Sequence, residues 1–192
     1  MLFLCNQAKS DLKEGEIPDF FQAYTVRGFL DITDETFEKK HNFIAFTVPT
    51  DEQSDHCPQA PLLTKPEVRV IMQNAVLMRR CRAVVSRTLR HFGIVYNEYD
   101  VQFEVVKGMT LHRLEHGDHN QKRMSRVLRF LRIFNPEHAV ALLQFVGSKI
   151  CTSKRARELE AKGELPEDMI VVSQYTFQMW HAKVFKPSFL SF

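Results

Sequence analysis

Five polar residues have the types that could form a small-ligand site: His41, His119, Asn120, Arg123 and Arg126. Arginine can hold a carboxylate or a phosphate through two parallel hydrogen bonds, so Arg123 and Arg126 would bind an anion beside the histidines. The sequence places no nucleophile or pair of carboxylates near them, so no catalytic residue is predicted. In the structural alternative, which we favour, Asn120 caps a helix and the two histidines donate to buried carbonyls.

Histidine and cysteine spacing does not predict a metal centre. His112, His116 and His119 lie four and three positions apart, but Gly117 and polar neighbours indicate a loop, and no cysteine or acidic pair completes a known ligand pattern. The four cysteines lie far apart without a CxxC pair. We therefore expect reduced thiols, no disulfide and no metal or other cofactor. Cys81 lies in an apolar stripe and is predicted to be an unreactive core residue.

Charge is distributed unevenly along the chain. Residues 1–78 hold 7 Lys and Arg against 12 Asp and Glu, whereas residues 79–132 hold 12 against 5. The basic segment could face a polyanion such as nucleic acid. It could also face the acidic N-terminal segment of the same chain. We favour this alternative, because an uneven distribution of charge along a sequence often reflects only solvent-exposed faces. Aromatic side chains for base stacking are not evident among the arginines, so nucleic-acid binding ranks lower.

Length and composition are those of a soluble globular protein. The 192 residues fit one domain with a sizeable core, and 44% are hydrophobic and 26% charged. No stretch approaches the roughly 20 apolar residues that a membrane span requires. The apolar start, residues 1–5, is too short for a signal peptide and lacks its basic residues. We expect a soluble cytoplasmic or nuclear protein that is not secreted; the sequence does not indicate its oligomeric state.

The periodicity of apolar residues predicts a mostly α-helical fold, a compact single-domain bundle of about six helices. Thr64-Lys65-Pro66-Glu67 is a capping box that opens one helix, and Gly93 should end the next. Residues 94–106 alternate apolar and polar, with β-branched and aromatic residues, which predicts a small β-hairpin. Helices are predicted over 33–48, 75–92, 120–134 and 153–162, and also after Thr64, after Pro136 and after Ser173.

The segment from His119 to Leu131 combines a helical apolar stripe with a motif. It follows the pattern His-Asn-x-x-Arg-x-Ser/Thr-Arg-Ile/Val-Leu-x-x-Leu, which resembles the conserved region of the opioid growth factor receptor family. Further blocks lie before and after it in the family's order: His41 to Pro49, Ala60-Pro61-Leu62-Leu63-Thr64, Phe92-Gly93 and Met179-Trp180-His181-Ala182. The resemblance implies a domain at 31–184, between an irregular lead-in, 1–30, and a tail, 185–192.

The resemblance also implies a function without a reaction. It suggests a non-enzymatic, receptor-like binding domain with a peptide or protein partner, since the receptor that gives the family its name binds an enkephalin peptide. The chain departs from the family at Ala45-Phe46, where the family has Gln-Trp. Any polar role that the Gln-Trp side chains have in the family is therefore not expected here. Two alternatives remain: a small-ligand pocket or enzyme built on the five polar residues, and nucleic-acid binding through the basic helices within 79–132.

Overall fold

The computed structural model describes residues 26–39, 43–106, 114, 119–166 and 169–187, except for the side chains of residues 152–154. This part of the chain forms nine helices and two small two-stranded sheets, which confirms the predicted mostly α-helical fold. No helix within it is long and apolar enough to cross a membrane. The chain divides into two compact units, the first ending at Arg87 and the second running from Thr88 to Pro187. The boundaries predicted at 31 and 184 stay a prediction.

Short helices dominate the first unit. Its elements are α1 (Val26–Leu30), α2 (Asp34–Lys39), α3 (Ile44–Thr47), α4 (Lys65–Gln73) and α5 (Ala75–His91), which continues into the second unit. The single helix predicted over 33–48 is recorded instead as α2 and α3, with residues 40–42 outside the described part of the chain. Thr33 caps α2 by accepting the Thr36 N–H at 3.2 Å. The described residues hold more helices than the roughly six predicted, because α1 was not predicted and because α2 and α3 stand in place of one predicted helix.

Three buried phenylalanines pack against one another in the first unit. The ring centroids of Phe29, Phe37 and Phe43 lie 4.8 to 5.9 Å apart, in tilted and edge-to-face arrangements that aromatic rings prefer. The Arg87 guanidinium lies 5.1 Å from the centre of the Phe37 ring and bonds Asp34 Oδ1 at 2.9 Å. One arginine of the basic segment therefore contacts the acidic N-terminal segment of the same chain.

The junction of α4 and α5 is defined by side-chain caps. Thr64 and Glu67 form the predicted capping box, in which Thr64 Oγ1 accepts the Glu67 N–H and Glu67 Oε2 accepts the Thr64 N–H at 2.9 Å. Asn74 ends α4, and its Oδ1 accepts the N–H groups of Val76 and Leu77 at 3.0 and 3.1 Å. One asparagine thus closes α4 and satisfies first-turn donors of α5, which fixes the corner between the helices.

The predicted β-hairpin is present in the second unit. Gly93, with φ 81°, follows α5 in a left-handed conformation that favours glycine, as expected of a helix C-cap. Strand β1 (Ile94–Asn97) pairs antiparallel with β2 (Gln102–Val105). On the inner face the rings of Tyr96 and Phe103 stack, with centroids 5.0 Å apart and planes 7° from parallel. The cross-strand aromatic pair stabilises this register.

Three helices of the second unit pack against one another. The remaining elements are α6 (Asn120–Phe134), α7 (Pro136–Ser148), β3 (Ile150–Thr152), α8 (Ser153–Glu160), β4 (Ile170–Val172) and α9 (Gln174–Phe185). Helices α6, α7 and α9 contact each other, and the Tyr96 hydroxyl bonds His138 Nδ1 on α7, joining the hairpin to the helices. Strands β3 and β4 pair in parallel, connected through α8. The sequence did not predict this pair, since strands of three residues are too short to display alternation.

Candidate functional site

Helix α6, which carries the family motif, is buried around most of its circumference. The predicted apolar stripe lies in the core: Met124, Val127, Leu128, Leu131 and Phe134. Polar side chains are buried as well: Asn120, Gln121, Arg123, Ser125 and Arg129. A helical wheel places Arg129 opposite the apolar stripe, yet Arg129 is buried, because α7 and α9 both pack against α6 and cover more than one side of it.

Gln121 joins separate segments of the second unit. Its Nε2 donates to the Leu114 carbonyl at 3.2 Å, and its Oε1 accepts the Thr176 hydroxyl at 2.9 Å. Its backbone carbonyl accepts both the Trp180 indole N–H and the Ser125 hydroxyl, each at 2.9 Å. Since Trp180 is fully buried, its indole N–H needs an acceptor inside the protein, and the Gln121 carbonyl is that acceptor.

The N-terminus of α9 belongs to the same network. Ser173 Oγ accepts the Thr176 N–H at 3.0 Å, which confirms Ser173 as the predicted cap. The Thr176 hydroxyl has a single proton and donates it to Gln121. Ser173 must therefore be the donor in the 3.0 Å contact between the two hydroxyls. A directional chain of hydrogen bonds thus runs from Ser173 through Thr176 to Gln121 and holds α9 against α6.

Asn120 and Arg123 form a buried pair one helical turn apart. Arg123 Nη1 donates to Asn120 Oδ1 at 2.8 Å. Helix α6 begins at Asn120, with His119 at the cap position and no side-chain cap hydrogen bond. The prediction that Asn120 caps α6 is therefore wrong. Asn120 lies one residue inside the helix, where the i, i+3 spacing brings its side chain next to Arg123.

Arg129 ties α6 to the opposite end of α9. Its Nη1 donates to the carbonyl of Lys186, the residue that closes α9, at 2.9 Å. The last carbonyls of a helix lack intrahelical partners and carry partial negative charge, so a guanidinium is a favourable partner there. Sequence reasoning missed this role, since the helical wheel gave Arg129 the same signal as the arginines of a solvated face.

The structure brings together part of the predicted small-ligand site. Asn120 and Arg123 are in direct contact and buried, Arg126 is partly buried on the next turn, and His119 is exposed. His41 lies outside the described residues. A buried guanidinium costs free energy unless its donors are satisfied, so the bond to Asn120 compensates part of the desolvation of Arg123. An anion that replaced Asn120 as its partner would first have to break that bond.

Cysteine and metal chemistry receive no support from the described part of the chain. Burial raises the pKa of the Cys81 thiol from 9.0 to about 12, so the thiol stays protonated at neutral pH, as expected for an unreactive core residue. Among the described residues no three His, Cys, Asp or Glu side chains come close enough to hold a metal ion. Two of the three candidate histidines, His112 and His116, lie outside that part of the chain.

These contacts define a mostly helical domain whose motif-bearing helix, α6, is fixed by a buried polar network. The family model described as Opioid growth factor receptor (OGFr) conserved region matches residues 1–161. This match covers most of the chain, which therefore belongs to the opioid growth factor receptor conserved-region family. No curated protein and no solved structure matches the chain significantly. The matched region includes α1 to α8, and α9 lies beyond it.

Proposed function

We propose that the chain is a non-enzymatic binding domain, receptor-like in the sense of its family, whose partner is a peptide or a protein. The inward orientation of the motif's polar side chains supports this most directly. Asn120, Arg123 and Ser125 are buried, and their side chains make hydrogen bonds within α6. A ligand recognised by these side chains would have to enter the core and break those buried bonds. We therefore assign recognition of the partner to the exposed faces of the helices, because such surfaces suit a peptide or a protein.

A thermal-shift screen tests this function. A ligand that binds only the folded chain raises its melting temperature, by the equivalent of about 2.7 kcal/mol at a concentration about 100 times Kd. The purified chain is heated with peptides, nucleotides, divalent metals and short oligonucleotides, each at low and high salt. We expect a shift with a peptide that persists at high salt. Shifts confined to nucleotides or metals would contradict the proposal.

The small-ligand pocket makes a different prediction for Asn120→Ala. If Asn120 has a structural role, the substitution lowers the free energy of unfolding by about 1 to 3 kcal/mol, because it removes the Oδ1 that accepts a hydrogen bond from the buried Arg123. Ser173→Ala, which removes a cap of α9, is the matched control and should cost about 1 kcal/mol. Loss of a small-molecule ligand with Asn120→Ala but not with Ser173→Ala would establish the pocket instead.

Nucleic-acid binding is a second candidate, favoured by the composition of α5. This helix holds five arginines and no acidic residue, and Arg79 and Arg90 are exposed. Arg87, Arg123 and Arg129 make hydrogen bonds within their own units, so fewer cations are available than the sequence suggested. Affinity for an oligonucleotide that falls steeply as salt rises would support this candidate, because phosphate contacts release counterions.

We further propose that the protein works in the cytoplasm or the nucleus. Cys57, Cys81 and Cys151 are buried free thiols, which suits a reducing compartment. Imaging of a fluorescent fusion tests the location, and accumulation in the culture medium would refute it.

A further inference from the structure

The solvent-facing side of α9 is uncharged and partly aromatic. Tyr175 and Phe185 expose 74% and 52% of their surfaces, and Gln178 and Ala182 between them are exposed as well. Lys183 is the only lysine, arginine, aspartate or glutamate of α9, and it is half-buried. The opposite side of α9 packs against α6 and α7. Since the outer side of a surface helix normally carries charges, this composition is typical of a helix that a partner covers.

The four exposed residues form one line along the helix, which we call the α9 seam. Tyr175, Gln178, Ala182 and Phe185 are separated by three, four and three positions, the spacing of the contact positions in a coiled coil. At 100° per residue they lie within about 80° around the helix, so a single partner helix can contact all four. His181 lies at the edge of the seam, with its ring centroid 4.4 Å from that of Phe185.

The α9 seam is symmetric about position 180. Tyr175 and Phe185 lie five positions before and after it, and Gln178 and Ala182 lie two positions before and after it. If two copies of α9 pack antiparallel across a twofold axis at this position, Tyr175 of one copy meets Phe185 of the other at both ends. In the middle, Gln178 of each copy meets the small Ala182 of the other. One set of residues thus serves both sides, as the interface of a twofold homodimer requires.

The charges beside the seam favour an antiparallel pair over a parallel one. Lys186 is exposed directly after α9. In the antiparallel pair the two copies of Lys186 lie at opposite ends, about 18 Å apart along the axis, which exceeds the roughly 8 Å over which exposed charges act at physiological salt. In a parallel pair they would lie side by side and repel. The seam itself offers no charge to attract an acidic or a basic partner, whereas a second copy presents a matching uncharged surface.

We propose that the chain forms a weak homodimer in which the α9 seams of two copies pack antiparallel. The aromatic rings at both ends of the seam supply most of the contact, as aromatic residues do in many interfaces. Two helices of 12 residues bury less surface than an interface of standard size, so the dissociation constant should be micromolar or higher. Self-association through α9 goes beyond the proposed binding function and does not depend on it.

Sedimentation velocity of the full chain, from micromolar to millimolar concentration, tests the dimer. We expect the average mass to rise from 22.4 kDa toward twice that value as the concentration rises. Because the seam carries no charge, high salt should not weaken the association. Tyr175→Glu and Ala182→Glu should each raise the dissociation constant about tenfold or more, because each places a carboxylate in a contact that excludes water.

Two control variants make the same substitutions elsewhere on the chain. Tyr99, between β1 and β2, exposes 86% of its surface, so Tyr99→Glu matches Tyr175→Glu. Ala75 is an exposed alanine at the start of α5, so Ala75→Glu matches Ala182→Glu. Both controls should dimerise as the wild-type chain does. All four substituted residues are exposed, so every variant should melt near the wild-type temperature at a concentration where the wild-type chain is monomeric.

Mixing two variants tests the antiparallel arrangement directly. Tyr175→Glu and Phe185→Lys should each associate weakly alone, because each loses the aromatic pair at both ends. In the mixed antiparallel dimer one end pairs the introduced carboxylate with the introduced ammonium group, and the other end keeps the native contact of Tyr175 with Phe185. The mixture should therefore dimerise more tightly than either variant alone. A parallel dimer places each position beside its own copy, so mixing would not restore it.

Three results would overturn the homodimer. The first is a chain that stays monomeric at every concentration, in which case another occupant, such as a partner helix or the residues after Pro187, covers the seam. The second is a dimer that the seam variants and the control variants weaken equally, because the contact then lies elsewhere. The third is an association that falls steeply as salt rises, because oppositely charged patches would then hold the copies together.

Discussion

The bond between Thr176 and Gln121 should be a measurable part of what holds α9 on α6. Thr176→Val keeps the shape of the side chain but removes the hydroxyl that Gln121 Oε1 accepts at 2.9 Å. A buried acceptor left without its donor costs about 1 to 3 kcal/mol, and Ser173 also loses the acceptor for its hydroxyl. Gln121→Met, of similar volume, should cost a similar amount, because it also leaves the Leu114 carbonyl without the amide donor.

The double variant should cost less than the sum of the two single variants. Once both partners are apolar, neither is left as an unsatisfied group, so the coupling free energy should be about 1 kcal/mol. Urea unfolding followed by tryptophan fluorescence measures it well, because Trp180 is the only tryptophan in the chain and lies buried in the second unit. Additivity of the two substitutions within about 0.3 kcal/mol would refute the inferred hydrogen-bond chain.

Three further predictions concern single features. Val101 has φ 53°, a left-handed conformation that costs an L-residue about 1 to 2 kcal/mol. Glycine avoids that cost but loses more backbone entropy on folding, so Val101→Gly should raise the free energy of unfolding, measured by urea titration, by about 0.5 to 1 kcal/mol. The folded state holds the Cys81 proton to a pKa of about 12, whereas an unfolded thiol releases it near 9.0, so stability should fall as pH rises above 9.0, and less so in Cys81→Ala. A chain ending at Ala161 should lose the cooperative melting of the second unit by circular dichroism, because it lacks α9 and the partners of Gln121 and Arg129.

The sequence predicted those parts of the fold that local interactions specify. The Thr64 capping box, the glycine after α5 and the proline that opens α7 lie where expected. In each case one or two neighbouring residues determine the backbone conformation, so the signal is complete within a short window. The hairpin was also predictable, because residues that face the core alternate with exposed residues along both strands. The parallel pairing of β3 with β4 was not, since it depends on residues about twenty positions apart.

The candidate site was harder to predict, since burial around α6 depends on tertiary contacts. A helical wheel separates apolar from polar residues, but it cannot tell that a second helix covers the polar side. On the wheel, Arg129 therefore resembles a solvated charge, although it is buried and donates to the end of α9. Arg123 lies at the edge of the apolar stripe, and its buried bond to Asn120 was not predicted. Nothing in the sequence around Gln121 indicates its role, because its hydrogen-bond partners are the Leu114 carbonyl and Thr176 on α9.

The polar residues of the α6 motif have a physical role that does not require a ligand. Asn120, Arg123 and Ser125 fall in the motif and make hydrogen bonds within the second unit. The backbone carbonyl of Gln121, between them, accepts a hydrogen bond from the indole N–H of Trp180 on α9, a helix beyond the matched residues 1–161. The structural unit that makes α6 stable is thus longer than the matched region. Since buried polar groups are costly unless satisfied, the hydrogen bonds that α9 makes to Gln121 contribute to the stability of the helix that carries the motif.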